Sequence, residues 1–475
     1  MTERSKQDKL EALRRQLGLK TCAQITPQEN RPDSPHTAPD SSGEPPASGH
    51  LDLRSLSARL GLMSGTQLAR TRDDDEEQRL SGSFEIDKIM PGSFVGEDED
   101  RFFLLRREFP LSYAQGNLPL STALECVSEH IALSAADPEL AAFDPRTTLF
   151  VDTETTGLAG GAGTVAFLIG IGYFTEDTFC VEQCFLGDYD QEESMLRYLA
   201  DRFSGFNTVA GYNSKSFDLP LLRTRFIQNR IPFRLDGVKH LDLVHAARRF
   251  WKRRLADCSL GNIEREVLGF RRHGDVPSHL IPQLWLDYLY SRDARPLEGV
   301  FYHHLMDILS LVTLTGWLSQ CLAQPEGSGF DHIEDRLSLV RLHFRQKNYD
   351  EVLRHGRAFL EADERSPLRR ECLEMIALAC KRRQRWLDMQ EALEHLIDEF
   401  PSDLTARLEL AKHHEHRTRD LFTAERLCAE ALDRLEIRSA LARDTGIPDP
   451  TLEAFRRRLQ RLRRKLGKNN PLLDD

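Results

Sequence analysis

The sequence predicts an α/β domain built on a mixed sheet flanked by helices, followed by an all-α region of helical repeats and preceded by a disordered N-terminal segment. Three observations carry this expectation. Strand-like apolar runs gather between residues 102 and 186 and then alternate with helix-spaced segments. Strand signals cease after about Asp331, and only helix-sized segments follow. Residues 21–79 are rich in Pro, Ser, Gly and Asp, too polar to offset the entropy of ordering them.

Within residues 1–79, a short amphipathic helix is expected over Lys9–Leu19, with Leu10, Leu13 and Leu17 on one side, and a second over Leu53–Leu60. The acidic run Asp73–Glu77 lies in the linker between them and the globular part. Residues 80–145 read as an N-terminal extension of the α/β domain, with a strand at Phe102–Leu105. The domain proper is expected over residues 146–324. Leu149–Val151, Val165–Phe174 and Thr178–Leu186 read as strands, with Asp177 in the turn between the last two, giving an antiparallel meander. Helix Glu192–Phe203, strand Thr208–Tyr212, helix Leu219–Gln228, strand His240–Leu243 and a basic helix follow. Over residues 331–475, Tyr349 aligns with Trp386 at a spacing of 37 and Pro367 with Pro401 at 34, close to the period of tetratricopeptide-like helical hairpins. An ordinary helical bundle is the alternative.

The net charge of −11 gives no global attraction to nucleic acid, so any such attraction must be local. Nine scattered cysteines, without a C-x-x-C pair, fit buried thiols in a reducing compartment. The charged N-terminus lacks the apolar stretch of a secretory signal, and no run is expected to approach the roughly 18 or more apolar residues that a membrane span needs. A soluble cytoplasmic protein with no membrane partner is expected.

The strongest chemical signal is Phe150-Val-Asp-Thr-Glu-Thr-Thr-Gly157. Residues two apart on a strand face one side, so Asp152 and Glu154 project together at a strand end. Adjacent carboxylates repel, and a divalent cation is the obvious compensation. Asp218, in YNSKSFDLPLL, falls at a helix start, where it reads equally as a cap. Asp307 interrupts a long apolar helix, with His303 four and His304 three residues before it on the same side. Asp and His on a buried face need partners, which a metal site or a structural His–Asp pair would supply.

The order D-x-E, Asp, His, Asp resembles the DEDD superfamily of 3′–5′ exonucleases, which have a ribonuclease H-like fold. The stretches DTETTGLAGGAGT, YNSKSFDLPLL and HLDLVHAARRFWKRRL are most similar to the YprB-type ribonuclease H-like proteins, over residues 80–322. Three strands followed by alternating helix and strand is the order of that fold. The resemblance implies that Asp152, Glu154, Asp218 and Asp307 hold two Mg²⁺ or Mn²⁺ ions for phosphodiester hydrolysis. It also implies a histidine base. Histidine members place the base five residues before the last Asp, where this chain has Tyr302. Tyrosine members place theirs four before it, where this chain has His303. His303 is therefore the first choice of base and His304 the second.

Nucleic-acid contacts are expected from Thr155, from Asn213, which resembles the substrate-side Asn of these enzymes, and from Arg249, Lys252 and Arg253. Phe250 and Trp251 are interleaved with the basic residues and available for base stacking, unless this is a solvated helix face with its rings in the core. Arg271, Arg272 and His273 form a second basic group. Gly160–Gly163 reads either as a phosphate-approach loop or as a tight connection, and Asp242 as a structural acid or a fifth acid near the site. The C-terminal run Phe455–Leu466 reads as a packed helix with an exposed basic face. The expected function is metal-dependent 3′–5′ exonucleolytic hydrolysis of a single-stranded 3′ end. A protein partner is expected on the repeats. A catalytically inactive nucleic-acid-binding module is the alternative.

Overall fold

The computed structural model describes residues 84–96, 100–157, 163–233, 237–325, 327–363, 365–441 and 450–467. The helices expected at Lys9–Leu19 and Leu53–Leu60 lie outside them. Two compact units divide the chain. The first comprises the described residues up to Ala247 with Cys258–Ala323; the second comprises Arg248–Asp257 with the described residues from Gln324.

The first unit is built on a seven-stranded mixed sheet in the order β1-β2-β7-β6-β5-β8-β9. Its strands are β1 (Ser93–Val95), β2 (Phe102–Pro110), β5 (Thr148–Thr155), β6 (Ala166–Phe174), β7 (Thr178–Phe185), β8 (Thr208–Gly211) and β9 (Lys239–Asp242). A separate hairpin pairs β3 (Ala114–Gln115) with β4 (Leu118–Pro119). Strands β5, β6 and β7 form the expected antiparallel meander, while β8 and β9 extend it in parallel from β5. The segment before residue 146 is more than an extension, because β2 pairs along the length of β7 and carries β1 at the edge.

Helices of this unit are α1 (Ile86–Ile89), α2 (Ser128–Ala135), α3 (Glu192–Phe203), α4 (Asp218–Gln228), α5 (Leu243–Trp251, its last residues in the second unit), α6 (Leu260–Glu266), α7 (Ile281–Ser291) and α8 (Leu297–Ala323). The 27-residue α8 packs along β5, β6 and β7. Contrary to the expectation from the sequence, α8 is long and apolar enough to cross a membrane; 83% of its most apolar stretch is buried within the protein, as in a core helix. Phe167 stacks on Trp285 with centroids 4.9 Å apart, and Phe185 and Phe301 pack beside them in a continuous core. Cys180 and Cys184 are buried free thiols, as expected from an apolar strand.

The second unit is helical: α9 (Ile333–Arg345), α10 (Tyr349–Ala362), α11 (Leu368–Arg382), α12 (Trp386–Glu399), α13 (Leu404–His413), α14 (Leu421–Leu441) and α15 (Pro450–Lys465). Helices pair as hairpins α9–α10, α11–α12 and α13–α14. Each hairpin turns through a left-handed residue two positions before its second helix: Lys347, Gln384 and Arg419. Tyr349 and Trp386 are the first residues of α10 and α12, so the landmarks seen in the sequence mark equivalent turns.

Candidate active site

Strand β5 lies inside the sheet between β6 and β8 and places Asp152 and Glu154 two residues apart on one side. Their side chains are 18% and 16% exposed. The register shifts just after Glu154, which ends the regular pairing at the site. Thr153, between the two acids, donates its hydroxyl to Asp218 Oδ1 at 2.5 Å. Asp218 is the first residue of α4 and is buried. Helix α8 supplies the remaining groups: His303 Nε2 lies 3.8 Å from Glu154 Oε1 and 3.3 Å from Asp307 Oδ2.

The electrostatics bind the four carboxyls into one group. Burial, then repulsion from Asp307, Asp218 and Glu154, raises the Asp152 carboxyl well above the usual range. Burial, opposed by His303 and reinforced by Asp307 and Asp218, pushes Glu154 up to about 8. Burial raises Asp218 to about 6 against the hydrogen bond from Thr153. An all-oxygen set in which Asp152, Glu154 and Asp218 are raised in this way suits a hard divalent cation, whose charge would relieve the burial and repulsion together.

The two histidines have different surroundings. His303 Nδ1 lies 2.8 Å from Asp275 Oδ1. Because a carboxylate only accepts, Nδ1 carries a proton, and Nε2 faces Glu154 and Asp307. Burial opposes the charged imidazole, but the Asp275 hydrogen bond and the charges of Asp307 and Glu154 raise its pKa. His304 is fully buried. The Gln183 amide nitrogen donates to Phe301 O at 2.9 Å and to His304 Nδ1 at 3.1 Å, so the His304 proton is on Nε2 and is given to Asp152 O at 3.1 Å. Burial lowers its pKa to about 4, which keeps it neutral. Both His304 nitrogens are thus engaged in tying α8 to β5 and β7, and His303 is the histidine whose Nε2 faces the acids.

A family model described as the RNase_H superfamily matches residues 149–319, a span that holds all four acids and both histidines. The uncharacterized protein YprB of Bacillus subtilis (strain 168) is 30% identical over 340 residues, covering 70% of this chain and 81% of that protein. The chain belongs to the ribonuclease H superfamily. Members of this superfamily are typically nucleolytic hydrolases that use divalent metals, a chemistry the four carboxyls fit.

Three further residues complete this ribonuclease H-like site. Arg272, its side chain 8% exposed, donates from Nη2 to Asp307 Oδ1 at 2.5 Å and makes a two-point contact with Glu264 at 2.6 and 2.7 Å. Glu264 also accepts from Ser310. Asp275 orients His303 and lies 3.5 Å from Arg272 Nη1. In the sequence Arg272 stood within a second basic group; in the structure it is buried among carboxylates. Glu264 and Asp275 carried no local signal.

The expected nucleic-acid residues divide between the two units. Thr155 is buried, and its hydroxyl donates to Gly157 O at 3.1 Å. Asn213 is exposed at φ 62°, a left-handed conformation that Asn tolerates, in the loop before α4. Asp242 accepts from the backbone N–H groups of Asn213 and Lys215 at 2.8 and 2.9 Å, so it shapes that loop as a structural acid. Arg249, Lys252 and Arg253 belong to the second unit, where Arg253 pairs with Glu371 at 2.7 Å. Phe250 and Trp251 are each only 1% exposed and pack in the interior, which removes them as stacking platforms for bases. Gly160–Ala162 lie outside the described residues.

Proposed function

We propose that the chain is a divalent-metal-dependent nuclease acting as a 3′–5′ exonuclease on single-stranded nucleic acid by a two-metal mechanism. The observation that carries this reading is the convergence of Asp152, Glu154, Asp218 and Asp307 beside a histidine whose Nε2 faces them. The four carboxyls would hold Mg²⁺ or Mn²⁺, which supply activation of water and stabilisation of the leaving 3′ oxygen. Asp275 holds the His303 ring so that Nε2 accepts a proton from the attacking water, and the resulting imidazolium is stabilised by Asp275, Asp307 and Glu154. Thr153 fixes the Asp218 carboxylate, and Arg272 fixes that of Asp307. Asn213, exposed in the loop before α4, would contact the substrate.

End-labelled single-stranded DNA and RNA should shorten stepwise from a free 3′ end in the presence of Mn²⁺ or Mg²⁺, and Asp152→Ala should abolish this. Equal activity in wild type and variant would reject the reading, and cleavage unaffected by blocking the 3′ end would convert it to an endonuclease.

One contact favours a second reading, a catalytically inactive nucleic-acid-binding module: the Arg272 guanidinium already neutralises Asp307. Metal binding separates the two. A rise in melting temperature with Mn²⁺ that Asp218→Asn removes supports the enzyme; an unchanged melting temperature in both proteins supports the module.

A further inference from the structure

The helical unit holds a group of metal-ligating side chains that the nuclease chemistry does not use. His343 lies in the last turn of α9, and Glu351 and His355 lie one turn apart near the start of α10. One ligating atom from each of the three lies within 4.8 Å of the others. His355 Nε2 is 3.4 Å from Glu351 Oε2, and the two imidazole centroids are 5.2 Å apart. His343 and His355 are 7% and 8% exposed. Among the described residues no hydrogen-bond partner reaches the buried His343 Nδ1.

We infer that His343, Glu351 and His355 form a second divalent-metal site, in the first helical hairpin, whose two imidazoles and single carboxylate select a zinc-type ion. The donor chemistry differs from that of the sheet site: two nitrogens and one carboxylate suit Zn²⁺, whereas four carboxylates suit Mg²⁺ or Mn²⁺. Zn–N and Zn–O distances of about 2.0–2.2 Å in a tetrahedral shell put neighbouring ligand atoms roughly 3.4 Å apart, and Glu351 and His355 already stand at that separation. Three protein ligands leave a fourth position open.

The hairpin is stiff enough to hold such a set. The α9–α10 connection is short, and Asn348 N–H donates to His343 O at 2.9 Å across it. Leu337, Val340, Val352 and Leu353 pack in the core around the same hairpin. A cation already marks the spot: Arg354 Nη2 donates to Glu351 Oε2 at 2.6 Å and to His355 Nε2 at 2.9 Å. The Arg354 side chain is 55% exposed, so it can swing to solvent when a metal ion takes its place on the two acceptors.

Equilibrium dialysis of the chelator-stripped full chain against Zn²⁺, followed by metal quantification, tests the inference. Asp152→Asn, Glu154→Gln, Asp218→Asn and Asp307→Asn together first silence the sheet site, whose Glu154, His303 and Asp307 could otherwise hold an ion of their own. That protein should retain one Zn²⁺ that is lost when His343→Gln and His355→Gln are added. Glu351→Gln, at a position whose side chain is 41% exposed, should weaken binding by at least the roughly tenfold typical of losing even an outer partner of a metal site. Arg354→Ala should leave binding intact or tighter. The inference is overturned if the protein with all four sheet-site acids replaced binds no Zn²⁺, or if its Zn²⁺ survives the histidine changes. Should the histidine variant fail to fold by circular dichroism, Glu351→Gln decides: undiminished affinity overturns the site.

Discussion

In the proposed mechanism, His303 and Asp275 set the chemistry at the scale of single residues. Asp275 both orients the imidazole and raises its pKa. Removing that charge in Asp275→Asn lowers the His303 pKa, so the base is deprotonated at lower pH. The acidic limb of the rate profile should therefore move to lower pH while the maximal rate falls about 10- to 100-fold, as for other residues that orient a site's ligands. A rate loss with an unmoved limb would show that Asp275 is only structural. His240 offers a separate test of residue electrostatics. It hydrogen-bonds Ser214 Oγ at 2.8 Å, and burial lowers its pKa to about 4. The folded protein keeps it neutral where the unfolded chain takes up a proton, so its contribution to stability is complete above about pH 6.5 and is lost as pH falls toward 4. Between pH 7 and 5 the wild type should lose about 2 kcal/mol more than His240→Gln in chemical denaturation. Parallel losses would refute the assignment.

The decisive element is α8, and the glycines of β6 let it approach. Gly170 pairs with Asp152 in the antiparallel register. A methyl group on Gly170 would fall well inside van der Waals contact of Ile308 Cδ1 and His304 Cε1. Gly170→Ala should thus cost about 1–3 kcal/mol of stability, read by denaturant titration. It should also weaken Mn²⁺ binding, because α8 carries Asp307. Neutral stability would mean that α8 has slack. This is also where legibility from sequence ends. The D-x-E pair and the His303–Asp307 pair were readable because strand and helix periods are local rules. Landmarks such as Tyr349 and Trp386 marked the hairpin turns for the same reason. Asp275, Glu264 and Arg272 were not readable, since they meet α8 only through tertiary packing and their spacing from His303 and Asp307 has no period. The glycines of VAFLIGIGYF gave no hint of α8 crossing above them. Phe250 and Trp251 were ambiguous in the basic run, because amphipathic spacing alone does not say which face is covered.

At the scale of the whole molecule, a chain with net charge −11 must gather its basic residues to hold nucleic acid. The C-terminal helix α15, expected to offer an exposed basic face, spends much of that charge internally. Glu415, fully shielded in the turn after α13, accepts from Arg458, Arg461 and Lys465 at 2.5, 2.6 and 2.8 Å. Burial opposes its charge, but the hydrogen bonds of Arg461 and Lys465 pull its pKa down to about 2. Arg463 is paired with Glu425 at 3.1 Å, and Arg457 with Glu453 at 2.8 Å. Cations neutralised in this way release few counterions from a bound strand, and counterion release sets the salt dependence of binding. Arg461→Gln with Lys465→Gln should therefore destabilise the helical unit, because Glu415 loses partners for a buried charge. The slope of log affinity against log salt for a single-stranded oligonucleotide should stay within error of the wild-type value. Each phosphate contact removed would flatten that slope by about 0.7. A flattening of about 1.4, with stability unchanged, would instead return α15 to the nucleic-acid footprint and make the Glu415 pairs incidental.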